Sequence, residues 1–309
     1  MSAIGIDMSK NSFHVAFPND KVVVYPNTET GFISFIDTIQ KYQPVLEQAK
    51  IGVESTGTYH LPLCVFLTKQ GHPVTVLNPL SVSRASATRL RTVKTDQLDA
   101  KIIRSVTESG AGYIFSDSED ILKLKALVKE RSALAQVRAG MKQRLESERY
   151  RGEAALGGYS KILAVVSQEI KKVEKKLLTY DRPTQTLLRS IPGVGLASAT
   201  TLLATVGDIK RFGNAKKLTA YLGLDCRVKE SGTSVHGKGF LTKRGNKQLR
   251  CVLFNATLVA KRYIPELQTF YQKKKSEGHH HFSALCATER KLVHIIYAVW
   301  KRGAPFVRR

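Results

Sequence analysis

Four carboxylates stand where chemistry could use them. Asp7 closes an apolar, strand-like run, Ile4-Gly5-Ile6-Asp7, and Glu54 closes another, Gly52-Val53-Glu54, next to Ser55 and Gly57. Strand ends beside small residues are where α/β sheets expose functional groups. Asp96 and Asp99 follow in Lys94-Thr95-Asp96-Gln97-Leu98-Asp99-Ala100, and a spacing of three puts both on one helical face. Four such acids converging would hold Mg²⁺ or Mn²⁺, because hard cations prefer oxygen ligands. Two ions about 3.5–4 Å apart can activate an attacking oxygen and stabilise a leaving oxygen at phosphorus. Arg84, Arg89, Arg91, Lys94, Lys101 and Arg104 crowd the approach to the last two acids, as a phosphodiester substrate would require. Singly, each acid has a plainer use: with Thr95 as cap, Asp96 is a first-turn partner of a helix dipole. The set of four in one stretch favours chemistry.

The elements that must position these acids follow from hydrophobic spacing. Residues 1 to about 115 read as α/β: strands at Ile4–Asp7, Phe13–Phe17 and Val22–Tyr25, the first two joined by a tight turn at Lys10-Asn11. A helix over Thr30–Tyr42 follows, then strands at Lys50–Val53 and Val74–Leu77 around a helix at Leu61–Lys69. This alternation favours parallel strand pairs. Leu98 and Ile102 would pack the acid-bearing helix on that sheet. From Ile121 to Leu178 there is no proline. Apolar residues recur at Leu134, Val137, Met141 and Leu145, then at Ile162, Val166, Ile170, Val173 and Leu177. Two long helices reversing at Gly157-Gly158 are expected, as a coiled-coil-like arm for self-association or as a hairpin folded back on its own domain. From Arg182-Pro183 onward the chain reads as mostly helical.

Charge narrows the partner. Lys and Arg number 49 against 25 Asp and Glu, a formal net charge of +24, with a pI near 10.0. Such an excess attracts a polyanion, and neutralising nucleic-acid phosphates releases counterions. A solvated basic surface with no partner is the plainer reading. No run of some twenty apolar residues exists to span a bilayer, and the start shows neither a basic lead nor an apolar signal core, so no export is expected. Cys64, Cys226, Cys251 and Cys286 lie too far apart for zinc or redox spacing, and read as small buried groups in a reducing cytoplasm. His279, His280 and His281 read as an exposed loop.

Taken together, Gly5-Ile6-Asp7-Met8-Ser9-Lys10, Val53-Glu54-Ser55-Thr56-Gly57 and Lys94-Thr95-Asp96-Gln97-Leu98-Asp99-Ala100 resemble the IS110 family of insertion-sequence recombinases, which includes the Piv and MooV site-specific recombinases. The resemblance runs nearly end to end, and it is the combination of motifs that makes it specific. It implies a fold of class α/β plus α. The N-terminal domain, residues 1–118, would be RuvC-like, with a ribonuclease H fold and a metal-binding tetrad at Asp7, Glu54, Asp96 and Asp99. The helical arm would span 119–181, and a mostly helical transposase domain 182–309. Within the last, Arg189-Ser190-Ile191-Pro192-Gly193-Val194-Gly195 resembles a helix-hairpin-helix turn, whose backbone N–H groups can bind a phosphate.

Lys229-Glu230-Ser231-Gly232-Thr233-Ser234-Val235-His236-Gly237-Lys238-Gly239 reads by composition as a flexible loop. The resemblance makes it the family's second signature, carrying a serine nucleophile: Ser231 matches best, Ser234 second, with His236 nearby. Implied partners are double-stranded donor and target DNA, a noncoding bridge RNA as guide, and further copies of the chain in a dimer or tetramer. The implied setting is the prokaryotic cytoplasm, at the nucleoid. A site-specific invertase of the Piv kind shares these features. A RuvC-like junction nuclease shares the acids but has no use for Ser231. An actin-like sugar kinase opens with a similar strand but needs glycine-rich phosphate loops, and a non-catalytic binder leaves the four acids unexplained.

Overall fold

The computed structural model describes residues 2–41, 49–55, 57–87, 95–151, 157–231, 235–241 and 246–308, with backbone alone at 151, 226–231 and 235–241. Two compact units divide the chain, residues 1–119 and 120–309.

The first unit is built on a six-stranded sheet. Strands β1 (Ala3–Met8), β2 (Ser12–Ala16) and β3 (Val22–Pro26) form an antiparallel meander. Helix α1 (Glu29–Lys41) leads on to β4 (Lys50–Glu54), then α2 (Leu61–Lys69) and β5 (Val74–Leu77). β4 pairs parallel with β1, and β5 parallel with β4. Helices α3 (Pro79–Ala87) and α4 (Asp96–Glu108) precede a two-residue strand, β6 (Tyr113–Ile114), antiparallel to β5. The strand order is β3-β2-β1-β4-β5-β6.

Central strands here must be apolar on both faces. β1 is accordingly buried along almost its whole length, and Ile4, Ile6, Val53 and Val76 are wholly buried. On one face Phe13, Tyr25 and Phe35 pack as an aromatic cluster, ring centroids 5.4 to 5.8 Å apart. On the other lies α4, through Ile102, Ile103 and Val106 against Leu77 and Val82. The strands and α2 fall where hydrophobic alternation puts them. The short β6 and α3 do not announce themselves in the sequence.

The second unit opens with two long helices, α5 (Glu119–Arg151) and α6 (Gly157–Leu177). Gly157 and Gly158, expected as the reversal, instead form the first turn of α6. At their base the helices are pinned by Arg131 Nη2 to Glu174 Oε1 at 2.8 Å. Leu124, Val128, Val173 and Leu177 belong there to the same buried core as the helices that follow. Toward the other end Val137, Ile162 and Val165 stay exposed.

Then come α7 (Arg182–Arg189), α8 (Leu196–Val206), a 3₁₀ turn at Ile209–Arg211 and α9 (Ala215–Tyr221). A two-stranded antiparallel ribbon, β7 (Cys226–Ser231) and β8 (Val235–Leu241), interrupts the helices. Helices α10 (Lys247–Tyr263), α11 (Pro265–Ser276) and α12 (His281–Arg302) complete the unit.

Three expectations need correction. Cys251 is exposed and Cys286 half-buried; only Cys64, among the cysteines whose side chains are described, sits in a core. The histidine tract divides: His279 and His280 are exposed and outside any helix, as expected, but His281 is the first residue of α12 and half-buried. His280 caps α12, its Nδ1 accepting from Phe282 N at 3.3 Å, and His281 Nδ1 meets the Tyr271 hydroxyl at 2.6 Å. The ribbon occupies a stretch that read as helical domain or loop.

Among the described residues no helix is long and apolar enough to cross a membrane.

Candidate active site

Register brings the first two acids together. Ile6 stands opposite Val53 in the parallel β1–β4 pair, so the next residues, Asp7 and Glu54, come side by side near the ends of the two strands. Both are partly buried. The chain after Glu54 is held in place by Ser55, whose backbone N and Oγ both donate to Leu77 O at 3.1 Å. Asn27, at the end of β3, donates through Nδ2 to Ser9 O at 3.0 Å and Tyr59 O at 3.4 Å, tying the loop after β1 to the loop after β4.

Helix α4 delivers the other two. Thr95 caps it as its sequence suggests, Oγ1 accepting from Leu98 N at 3.3 Å. Asp96 and Asp99 therefore fall in its first turn, where the dipole favours negative charge. The helix can approach because Gly5 and Gly52 lack side chains. A Cβ on Gly5 would stand 2.2 Å from Ala100 O, and one on Gly52 would stand 1.8 Å from Thr107 Oγ1.

The electrostatics show all four acids sharing one field. Asp7 is raised from 3.8 to about 6, first by burial, then by the charges of Asp99, Asp96 and Glu54, while His14 pulls it down. His14 is the residue that sequence reasoning missed. It stands opposite Asp7 in the β1–β2 register, and its Nδ1 lies 3.9 Å from Asp96 Oδ2.

Among the described residues, no three His, Cys, Asp or Glu side chains are already gathered as ligands of one ion. Asp96, with its side chain 66% exposed, has room to move. The donor set itself, carboxylate oxygens around a partly desolvated Asp7, is the chemistry that a hard dication balances.

The basic residues divide. Arg104 is not free for substrate: it donates through Nη2 to Asp20 Oδ1 at 2.5 Å and through Nη1 to Phe17 O, and its side chain is 16% exposed. Arg89, Arg91 and Lys94 lie outside the described residues. Lys101 is half-buried and Arg84 is exposed.

In the second unit, Gly193 takes φ +88° in the turn between α7 and α8, and a Cβ there would stand 2.4 Å from Ala256 O. Glycine is thus needed both for conformation and for contact with α10. Gly195 begins α8 without a side-chain cap, leaving its first amides to another acceptor. Ser231 is the last residue of β7, opposite Val235, and His236 stands opposite Glu230. Ser234 lies outside the described residues.

Four carboxylates carried by two strands and a helix of an α/β unit, Asp7 and Glu54 partly buried and Asp96 exposed, in a chain of net charge +24, fit the class of DNA-processing enzymes. The comparisons narrow that class. Residues 4–148 match the DEDD-type transposase profile of IS110 elements, and residues 185–272 match the transposase profile of the IS116/IS110/IS902 family. The pilin gene-inverting proteins of Moraxella lacunata and Moraxella bovis are each 30% identical to this chain, over 99% of it and 98% of their own length. The transposase for insertion sequence element IS1328 of Yersinia enterocolitica is 24% identical over the same shares. The chain belongs to the IS110 family of DNA transposases and site-specific recombinases. A transposase domain of the DEDD type implies use of a divalent metal.

Proposed function

We propose that this enzyme cleaves and exchanges DNA strands at specific sites, using Asp7, Glu54, Asp96 and Asp99 as metal ligands and Ser231 as nucleophile. The observation that carries the first half is the shared field at Asp7, raised by burial and then by three acids, two on α4 and one on the neighbouring strand β4. The RuvC-like reading of residues 1–118 draws support from the antiparallel β1-β2-β3 meander continued by parallel β4 and β5.

Mg²⁺ or Mn²⁺ bound there would stabilise charge developing on the attacking and leaving oxygens. The protein's own part is to hold the scissile phosphate and supply the attacking oxygen. The Ser231 hydroxyl loses its proton and bonds to phosphorus. The P–O bond to the departing strand breaks, and that oxygen takes up a proton. The phosphoserine ester conserves the phosphodiester bond, so a second strand's hydroxyl can displace Ser231 and complete the exchange. Ser231 is chosen over Ser234 because the Ser-Gly pair fits the family's second signature best. His236 is a neighbour without an assigned step.

Donor and target duplex DNA are the substrates, with a noncoding bridge RNA as guide. The arm of residues 119–181 joins copies of the chain into a dimer or tetramer, for which the exposed Val137, Ile162 and Val165 speak. Residues 182–309 carry Ser231 and a phosphate-binding turn at Gly193–Gly195. The setting is the bacterial cytoplasm, at the nucleoid.

Inversion at fixed sites is the second reading. It is favoured by the end-to-end 30% identity with the pilin gene-inverting proteins, against 24% for the IS1328 transposase.

Trapping decides the serine. Wild type should leave a protein–DNA adduct that survives denaturation, and Ser231→Ala should not, with DNA binding retained. Persistence of the adduct in Ser231→Ala and its loss in Ser234→Ala would move the nucleophile to Ser234. Cleavage with no adduct under any trapping condition overturns the covalent step.

A further inference from the structure

One nitrogen donor stands beside the carboxylates. His14, in the middle of β2, faces Asp7 across the antiparallel register. Its Nδ1 lies 3.9 Å from Asp96 Oδ2, and its side chain is 16% exposed, so it is held in place where Asp96 is not. A strand residue and a helix residue thus close on the space beside Asp7. At 3.9 Å they make no hydrogen bond. Two donors each about 2.1 Å from a common ion can stand at most about 4.2 Å apart. The observed spacing falls inside that limit.

We propose that His14 is a nitrogen ligand of the ion held by Asp7 and Asp96, and that it shifts the preference of the site from Mg²⁺ toward Mn²⁺. The inference rests on the reading of the tetrad as a metal site. An all-carboxylate site suits Mg²⁺, which demands near-ideal octahedral oxygen coordination. Imidazole is a softer donor, and first-row transition ions gain more from it than Mg²⁺ does. The competing role, a weak ion pair between a protonated His14 and Asp96, puts no nitrogen on the metal.

The test uses the full chain without DNA, with Mn²⁺ as probe. Spin-echo spectroscopy of bound Mn²⁺ should show a directly coordinated ¹⁴N in wild type, lost in His14→Gln and altered by ¹⁵N-histidine labelling. Free Mn²⁺, followed by its spin-resonance signal, should report an affinity about tenfold weaker in His14→Gln. Mg²⁺ affinity, read by competition, should change far less. A wild-type spectrum without nitrogen coupling, or coupling that persists in His14→Gln, overturns the role of His14 and leaves the tetrad standing. If wild type binds no Mn²⁺, or Asp7→Asn binds it as well as wild type does, the tetrad reading fails and this inference fails with it. Urea unfolding of His14→Gln separates lost ligation from lost fold.

Discussion

Gly5 and Gly52 stand directly opposite each other in the β1–β4 pair, and α4 lies on both. The backbone of Ala100 and Arg104 occupies the place of a Gly5 side chain, and Thr107 that of a Gly52 side chain. This bare patch sets how close Asp96 and Asp99 come to Asp7.

Gly5→Ala should therefore cost stability and activity together. The clash is with helix backbone, which cannot rotate away as a side chain can, so overpacking should cost about 1–3 kcal/mol. Gly52→Ala meets only the Thr107 side chain and should cost less. Urea unfolding compares them. A Gly5→Ala protein as stable as wild type would show that α4 is not seated by this contact.

Much of the site was legible in the sequence. Acids at the ends of apolar strands, and acids three apart ahead of a helical stripe, point to their own positions. His14 was not legible. A polar residue at an alternate strand position looks like any other, and only the register set by the turn between Met8 and Ser12 puts it opposite Asp7. Arg104 misled for a related reason. Composition places it among phosphate-binding groups, while the helical period carries it four residues past Ala100, over β1 and toward Asp20. The β7–β8 ribbon lacks alternating apolar residues and is rich in Gly, Ser and Lys, so propensity gave no sign of strands.

Neutralising any one acid, by Asp7→Asn, Glu54→Gln, Asp96→Asn or Asp99→Asn, should abolish strand transfer with Mg²⁺ while leaving DNA affinity within a few-fold. Affinity comes mainly from the excess of Lys and Arg. Asp7→Asn carries a second expectation. With chelator present it should melt above wild type, because it removes a partly buried charge repelled by three others. Near-normal strand transfer from Asp7→Asn would end the metal-site reading.

The bridge-RNA proposal predicts that protein produced together with its native flanking DNA retains one defined noncoding RNA. Sequencing of the bound RNA gives the answer. A random sample of cellular RNA would mean that the +24 charge alone accounts for the binding. Salt dependence cannot discriminate, since both kinds of binding weaken steeply as salt rises.

The last prediction concerns Glu289, a carboxyl in the α12 face of the second core. It is 2% exposed, and its Oε1 has no hydrogen-bond partner. Burial raises it from 4.5 to about 8, with the Arg250 guanidinium pulling it back only in part. The folded protein therefore keeps a proton at neutral pH that the unfolded chain releases. Below the unfolded value of 4.5 both states are protonated and the group costs nothing. As pH rises from 4.5 toward about 8, the unfolded chain ionises while the folded one does not, and stability falls throughout that window. The loss is on the order of a few kcal/mol. Glu289→Gln keeps the shape and removes the titration. Its urea midpoint should change little between about pH 5 and about pH 8, while the wild-type midpoint drops. Equal drops in both proteins would assign the pH dependence to other groups and would mean that Glu289 is not buried as a neutral acid.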